Sequence, residues 1–128
     1  MTQLILLFAS ILGALAVVFG ASGAHVLKKI LNEEQLKSFE TGVKYQMYHA
    51  LVLLIIGFNF NLETDSEKYM VYCFMAGVIL FSFSIYGLVI SSAKNKKLTF
   101  LGPITPIGGL FLIIGWGLLF YSILKMTF

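Results

Sequence analysis

The chain has 128 residues, of which 59% are hydrophobic and 12% are charged, and the charged residues are nine lysines and six acidic residues. A water-soluble domain carries roughly a quarter of charged residues, and the mean hydropathy here is +0.91. This composition excludes a multi-domain soluble enzyme, a disulfide scaffold and a dedicated nucleic-acid binder, and it predicts an integral membrane protein.

Four long runs of the sequence contain no charged residue: 1–27, 45–62, 69–93 and 98–124. A helix needs about 20 apolar residues to cross about 30 Å of hydrocarbon, and about 17 is the short limit. We therefore expect an all-α protein with a single membrane domain, residues 1–128, folded as a four-transmembrane-helix bundle. The predicted spans are about 4–24, 45–60, 66–92 and 104–124, with a cytoplasmic amphipathic helix at about 33–44 between the first two.

The first span resembles a secretory signal, but two features favour a retained span. No lysine precedes it, and its apolar stretch is longer than the about 7 to 15 residues of a signal core. Small residues in this span recur close to fourfold spacing, which is typical of closely packed membrane helices. The predicted packing residues are Gly13, Ala16, Gly20, Gly23 and Ala24.

The segment between the first two spans is the only substantial polar stretch of the sequence. Asn32 followed three residues later by Gln35 resembles a capping box, and apolar residues then repeat with helical spacing. This pattern predicts an amphipathic helix that lies at the membrane surface and leads into the second span. Gly42 is expected to bend the join between them.

Capping and proline signals mark the starts of the third and fourth spans. Thr64 and Glu67 form a T-x-x-E capping box before the third span. Pro103 and Pro106 suit the entry of the fourth span, because a missing backbone donor matters least there. Glycines of the fourth span that are predicted to permit close helix contact are Gly108, Gly109 and Gly115.

The lysines predict the orientation of the chain in the membrane. The connections between spans 1 and 2 and between spans 3 and 4 hold seven lysines, and the opposite side holds only Lys68 and Lys125. By the positive-inside rule the two basic connections are cytoplasmic and both termini lie outside. The lysines predicted to contact anionic lipid are Lys28, Lys29, Lys94, Lys96 and Lys97.

No charged residue lies inside a predicted span, which disfavours a proton-coupled transporter or a charged channel filter. A polar site is instead predicted at the inner interface, where both histidines lie near helix ends. Its residues are His25, His49, Tyr45, Tyr48, Gln46 and Thr105.

The two histidines allow a functional and a structural interpretation. As a pair they can ligate a haem iron or another metal, handle protons or hold a lipid phosphate. Each can instead cap a helix end or bond a backbone carbonyl, and we prefer this interpretation because polar residues at the interface cost little. We accordingly predict no catalytic residue, no metal site and no cofactor.

Three strings of the sequence carry a family resemblance: GASGAH at 20–25, FETGVKYQMYHAL at 39–51 and LGPITPIGGLFLIIGW at 101–116. Together with FSFSIYG at 81–87, they make the chain resemble the domain of unknown function 423 family along nearly its whole length. The pattern falls on Gly20, Gly23, Ala24 and His25, on Thr41, Gly42, Tyr45, Gln46, Tyr48 and His49, and on Pro106, Gly108, Gly109 and Trp116.

This resemblance implies a multi-pass protein of a bacterial-type plasma membrane. It implies no activity, substrate or cofactor, because the family is uncharacterised. Ser22 and Phe83 depart from the family pattern and affect local packing only.

Three classes of function remain open on the sequence alone. The preferred one is a non-enzymatic module that binds membrane lipids or a partner membrane protein. The second is a small transporter or channel that forms as a homo-oligomer, since four short helices enclose little space. The third is a membrane enzyme or redox carrier that uses the two histidines. Nucleic acid is not an expected partner, because the lysines flank the spans instead of forming one basic stripe.

Overall fold

The computed structural model describes residues 1–127, and the elements in this range are helical. Five α-helices follow one another, with 3₁₀ turns at Leu27–Lys29 and Thr99–Leu101. A π-helical segment, Ile79–Phe83, joins the third helix directly to the fourth. The α-helices are α1 (Thr2–Ala24), α2 (Glu33–Asn59), α3 (Asp65–Val78), α4 (Ser84–Ala93) and α5 (Ile104–Thr127).

Three helical stretches among the described residues are long and apolar enough to cross a membrane. They are Thr2–Lys29, Asp65–Ala93 and Thr99–Met126. The second of these contains α3, the π-helical segment and α4 as one continuous rod. The architecture is therefore that of an all-helical, multi-pass membrane protein.

The second predicted span and the predicted amphipathic helix form one unbroken helix, α2, of 27 residues. Gly42 does not interrupt it, so the expected change of direction at this glycine is not seen. The glycine instead allows α4 to approach closely, because a Cβ at this position would lie 2.7 Å from Cε1 of Tyr86. The hydroxyl of Ser82 also donates a hydrogen bond to the Gly42 carbonyl, at 2.7 Å.

Side chains fix the starts of α2 and α3 as the sequence predicts. The Asn32 side chain accepts a bond from the Gln35 amide at 2.8 Å, and the Gln35 side chain accepts one from the Asn32 amide at 3.1 Å. Thr64 and Glu67 form the same reciprocal pair. Both predicted capping boxes are confirmed, and each satisfies two backbone donors that a helix start leaves free.

Helices α1 and α2 pack antiparallel through the small residues of α1. A Cβ on Gly13 would lie 3.8 Å from Cβ of Ala50, and one on Gly23 would lie 3.2 Å from the Phe39 ring. Gly20 faces Val43 in the same way at 3.5 Å. Of the other predicted packing residues of α1, Ala16 is buried and Ala24 is exposed.

Helix α5 packs antiparallel against α3 and the π-helical segment, and here the backbones approach each other more closely. A Cβ on Gly108 would clash with the backbone nitrogen of Phe81. Gly115 lies against the Phe74 ring at 2.9 Å, whereas Gly109 makes only ordinary contact at 3.7 Å. On the partner helix, a Cβ on Gly77 would lie 3.0 Å from the backbone nitrogen of Leu112.

Candidate functional site

The structure separates the two histidines of the predicted polar site. His25 is exposed and follows the end of α1, whereas His49 is 4% exposed in the middle of α2. Because Gly23 lies opposite Phe39 and Gly13 lies opposite Ala50, His49 is about 11 residues, or roughly 16 Å, further along the bundle than His25. The two imidazoles therefore do not form a ligand pair.

Both ring nitrogens of His49 have hydrogen-bond partners. Its Nδ1 lies 2.7 Å from the Tyr45 carbonyl, and its Nε2 lies 3.2 Å from the indole nitrogen of Trp116. A carbonyl oxygen only accepts and an indole N–H only donates. The ring is therefore the neutral tautomer with its proton on Nδ1, and its remaining lone pair is used by Trp116.

Aromatic side chains enclose the His49 ring. The Phe74 and Trp116 centroids lie 5.7 and 6.1 Å from it, and these two rings meet edge to face at 5.6 Å. Contacts of this kind add to the area that the rings bury. His49 thus links α2 to α3 and α5.

Gln46, one turn before His49, is fully buried and joins three helices. Its side-chain amide donates to the Leu12 carbonyl of α1 at 2.8 Å, and its oxygen accepts from the Tyr86 hydroxyl of α4 at 2.6 Å. In hydrocarbon an unpaired polar group is costly, so this pairing is what permits a glutamine in the centre of α2.

The side chains of the remaining predicted site residues do not join this cluster of hydrogen bonds. Tyr45 and Tyr48 are 39% and 53% exposed on the outer face of α2. The Thr105 hydroxyl lies 2.6 Å from that of Ser84, at the start of α5. Of the six predicted site residues, only His49 and Gln46 are thus buried in the bundle core.

Sequence reasoning missed the partners of these buried polar groups. Trp116 and Tyr86 are 67 and 40 positions from the residues that they bond, so no local pattern pairs them. Ser82 donates a hydrogen bond across helices, to the Gly42 carbonyl. The sequence did indicate that such partners exist, because a buried polar residue in a membrane helix requires a partner on another helix.

A polar cleft of about 710 Å³ opens at one end of the bundle, between the start of α2 and the start of α5. Its floor is the last two turns of α4, with Ile85, Leu88 and Val89. The polar residues that line the cleft are Asn32, Glu34, Gln35, Ser38, Ser92, Lys97, Thr99 and Thr105. Of these, only Thr105 belonged to the site predicted from the sequence.

The same end of the bundle carries most of the positive charge. We call it the basic end: here α1 and α4 finish, and α2 and α5 begin. The seven lysines and three glutamates of residues 28–44 and 94–97 give it a net charge of +4, and residues 63–68 with Lys125 give the other end −1. The five lysines predicted to contact anionic lipid are all exposed here, and one of them, Lys97, lines the cleft.

The structure offers no metal site of the usual kind in residues 1–127, since no group of three or more His, Cys, Asp or Glu side chains comes together there. Cys73 is a free thiol in that range. The chemistry available at the basic end is therefore that of ammonium, carboxylate, amide and hydroxyl groups around an apolar floor.

Comparison with known proteins agrees with the fold. Residues 19–109 match the family described as protein of unknown function, DUF423. The chain is 41% identical to the UPF0382 membrane protein SAB0533 of Staphylococcus aureus, over 91% of this chain and 95% of that protein. It is 32% identical to the UPF0382 inner membrane protein YgdD of Escherichia coli K12, over 98% and 92% of the two chains.

No solved structure matches the chain. The family match covers well over half of the sequence, and the relatives align over almost their full length. The resemblance seen in the sequence motifs is confirmed: the chain is an integral membrane protein that belongs to the DUF423 family of proteins of unknown function.

Proposed function

We propose that this protein crosses the plasma membrane four times and acts as a non-enzymatic module that binds anionic lipid at its basic end, on the cytoplasmic side. The observation that carries the proposal is the segregation of charge. A net charge of +4 gathers at one end of the bundle and −1 at the other. Anionic headgroups attract basic segments beside a membrane by about 1 kcal/mol per lysine.

The packing of α2 supports a fourth span. It runs antiparallel to α1 from Phe39, opposite Gly23, to Gly57, opposite Leu6. This stretch of 19 residues is about 27 Å long, close to the thickness of the hydrocarbon core, and its charged residues, Glu40 and Lys44, lie near its start at the basic end. A helix that lies along a spanning helix for this distance crosses the membrane with it.

The polar residues of α2 lower its hydropathy, but they do not oppose insertion. Gln46 bonds Leu12 and Tyr86, and His49 bonds the Tyr45 carbonyl and Trp116. From Tyr45 to Phe58 the exposed residues of the outer face are aromatic or aliphatic. A helix with internally paired polar groups and an apolar outer face suits a lipid environment.

The buried polar groups favour binding over a reaction at the histidines. Both nitrogens of His49 are occupied, and His25 lies roughly 16 Å away along the bundle axis. The Escherichia coli relative is named an inner membrane protein, which supports the plasma membrane as the location of this protein.

Native mass spectrometry of the purified protein tests the lipid-binding proposal. We expect phosphatidylglycerol to be retained over phosphatidylcholine with the same acyl chains. The variant Lys28→Gln/Lys29→Gln should weaken this preference, and the control Lys68→Gln/Lys125→Gln, which removes the same charge from the other end, should not. Equal retention of the two lipids by the unmodified protein would refute the proposal.

Reporter fusions test the number of spans and the orientation. With four spans, fluorescent proteins fused before Met1 and after Phe128 both lie outside the cytoplasm and stay dark in the periplasm. A fluorescent signal from only one terminus would mean an odd number of spans, and signals from both would reverse the orientation.

A further inference from the structure

We propose that the cleft at the basic end is a specific site for one phospholipid whose short headgroup carries hydrogen-bond donors, such as the ammonium of ethanolamine or the hydroxyls of glycerol. This inference rests on the proposed lipid-binding function and goes further. It assigns one defined site and a headgroup chemistry in addition to a general attraction of anionic lipid.

The position of the cleft suits an amphiphile. Its floor extends from Ile85 to Ser92 along α4, which ends at Ala93. These turns span about 10 Å along the helix, so the cleft runs from the level of the lipid headgroups into the upper part of the hydrocarbon. The lining combines apolar side chains, such as Ile85, Leu88 and Pro106, with polar ones.

The charges of the cleft have both signs. Lys97 lies on the wall formed by the connection into α5, and Glu34 lies on the wall formed by the first turn of α2. Both side chains are exposed and available to a ligand. An ammonium recognises a phosphate, and a carboxylate accepts from an ammonium or hydroxyl donor.

These two charges match the order of groups in a phospholipid. The phosphate lies next to the glycerol backbone and is placed to accept from Lys97 and from the hydroxyls of Ser92 and Thr99. The headgroup beyond it is placed to donate to Glu34. The volume of about 710 Å³ lies within the range of sites for small ligands. Choline has no N–H donor and is therefore disfavoured.

A comparison of two lipids of equal net charge distinguishes binding at this site from the general attraction of lipid to the basic end. Phosphatidylethanolamine and phosphatidylcholine are both neutral overall, so the charge of +4 does not distinguish them. A donor bonded to Glu34 does distinguish them, and one charge-assisted hydrogen bond corresponds to roughly a tenfold preference.

The experiment is native mass spectrometry of the full chain with equimolar phosphatidylethanolamine, phosphatidylglycerol and phosphatidylcholine of identical acyl chains. We expect the first bound lipid to be phosphatidylethanolamine or phosphatidylglycerol, each roughly tenfold over phosphatidylcholine. The ratio of the first two lipids identifies which donor the site prefers.

Neighbouring residues supply matched controls. Glu34→Gln should bring the ratio of phosphatidylethanolamine to phosphatidylcholine close to one, whereas Glu33→Gln, in the same helical turn but outside the cleft, should leave it unchanged. Lys97→Gln should reduce retention of the first phosphatidylethanolamine, and Lys96→Gln, outside the cleft, should reduce it less. All four residues are exposed, so an unchanged unfolding temperature verifies that each variant is folded.

The possible failures are distinguishable. A ratio of phosphatidylethanolamine to phosphatidylcholine near one in the unmodified protein, or equal effects of Glu34→Gln and Glu33→Gln, would overturn the cleft as a specific site and leave the attraction of anionic lipid standing. Equal retention of phosphatidylglycerol and phosphatidylcholine, with phosphatidylethanolamine preferred, would overturn the proposed anionic selectivity and support the cleft.

Discussion

The two antiparallel helix pairs of this protein are held together by different means. Between α1 and α2, the glycines face side chains, at ordinary contact distances for Gly13 and Gly20 and more closely at Gly57, and a buried hydrogen bond from Gln46 adds to the packing. Between α5 and the rod of α3 and the π-helical segment, glycines bring backbone against backbone, as at Gly77 and Gly108. An added methyl group therefore meets side chains, which can move, at the first interface and backbone, which cannot, at the second.

The largest effect should come from Gly108→Ala. The new Cβ would clash with the backbone of Phe81, which cannot move aside as a side chain can, and overpacking of this kind costs about 3 kcal/mol or more. We expect a large fall in the unfolding temperature in detergent, or loss of folded protein.

Gly117→Ala is the matched control for that variant, since it makes the same change two turns further along the same helix. No heavy atom would lie within 4 Å of its Cβ, so its stability should stay within about 0.5 kcal/mol of the unmodified protein. Similar unfolding temperatures for the two variants would contradict the close approach at Gly108.

A smaller effect is expected for Gln46→Leu, which leaves the Tyr86 hydroxyl without its acceptor. Hydrogen bonds between membrane helices contribute about 1 to 2 kcal/mol, so we expect a loss of that size. Adding Tyr86→Phe should recover part of it, because no unpaired hydroxyl then remains. Additive losses in the double variant would show that the two side chains are not coupled. Tyr48→Phe, on an exposed tyrosine of the same helix, is the neutral control.

His49→Phe tests the contact that joins the two helix pairs. The variant keeps an aromatic ring but removes the acceptor for the Trp116 indole, at a cost of about 1 kcal/mol. Trp116 is the only tryptophan of the chain, so tryptophan emission reports on the surroundings of this one indole. We expect emission at shorter wavelength; an unchanged spectrum would contradict the hydrogen bond.

The smallest effect should come from Gly20→Ala. Its Cβ would meet Val43 at 3.5 Å, an ordinary contact, so we expect stability within about 0.5 kcal/mol of the unmodified protein. Gly20→Leu has no such room and should lower the unfolding temperature. If Gly20→Ala were as harmful as Gly108→Ala, the difference between the two interfaces would disappear.

Local signals in the sequence were sufficient for the helices but not for their arrangement. The charge-free runs and the boxes at Asn32 and Thr64 depend on residues close in sequence, and they located the helices and two helix starts. The unbroken course of α2 depends on what touches Gly42, namely Ser82 and Tyr86. The sequence alone does not distinguish a glycine that bends a helix from a glycine that allows a neighbouring helix to approach closely.

The candidate site was predictable only in part for the same reason. Gln46 and His49 stood out as polar residues in a predicted span, but their partners on other helices lie 34 to 67 positions away and depend on the register between helices. The cleft was missed because its walls come from three segments distant in sequence. Lys97 was predicted to contact lipid, and Lys96 with it; only the fold distinguishes the two.

The π-helical segment Ile79–Phe83 keeps two buried residues of α3 and α4 on one face of the rod. Phe74 and Tyr86 are 12 residues apart and both are buried. In a regular α-helix they would point about 120° apart, and the one extra residue that a π-helical turn accommodates reduces this angle to about 20°. Deleting one residue from this segment would restore a regular helix and keep Phe74 and Tyr86 on one face, whereas inserting one more residue would turn Tyr86 by about 100° away from Gln46. Alignments of this family should therefore allow a one-residue gap in this stretch and place other insertions and deletions in the connections.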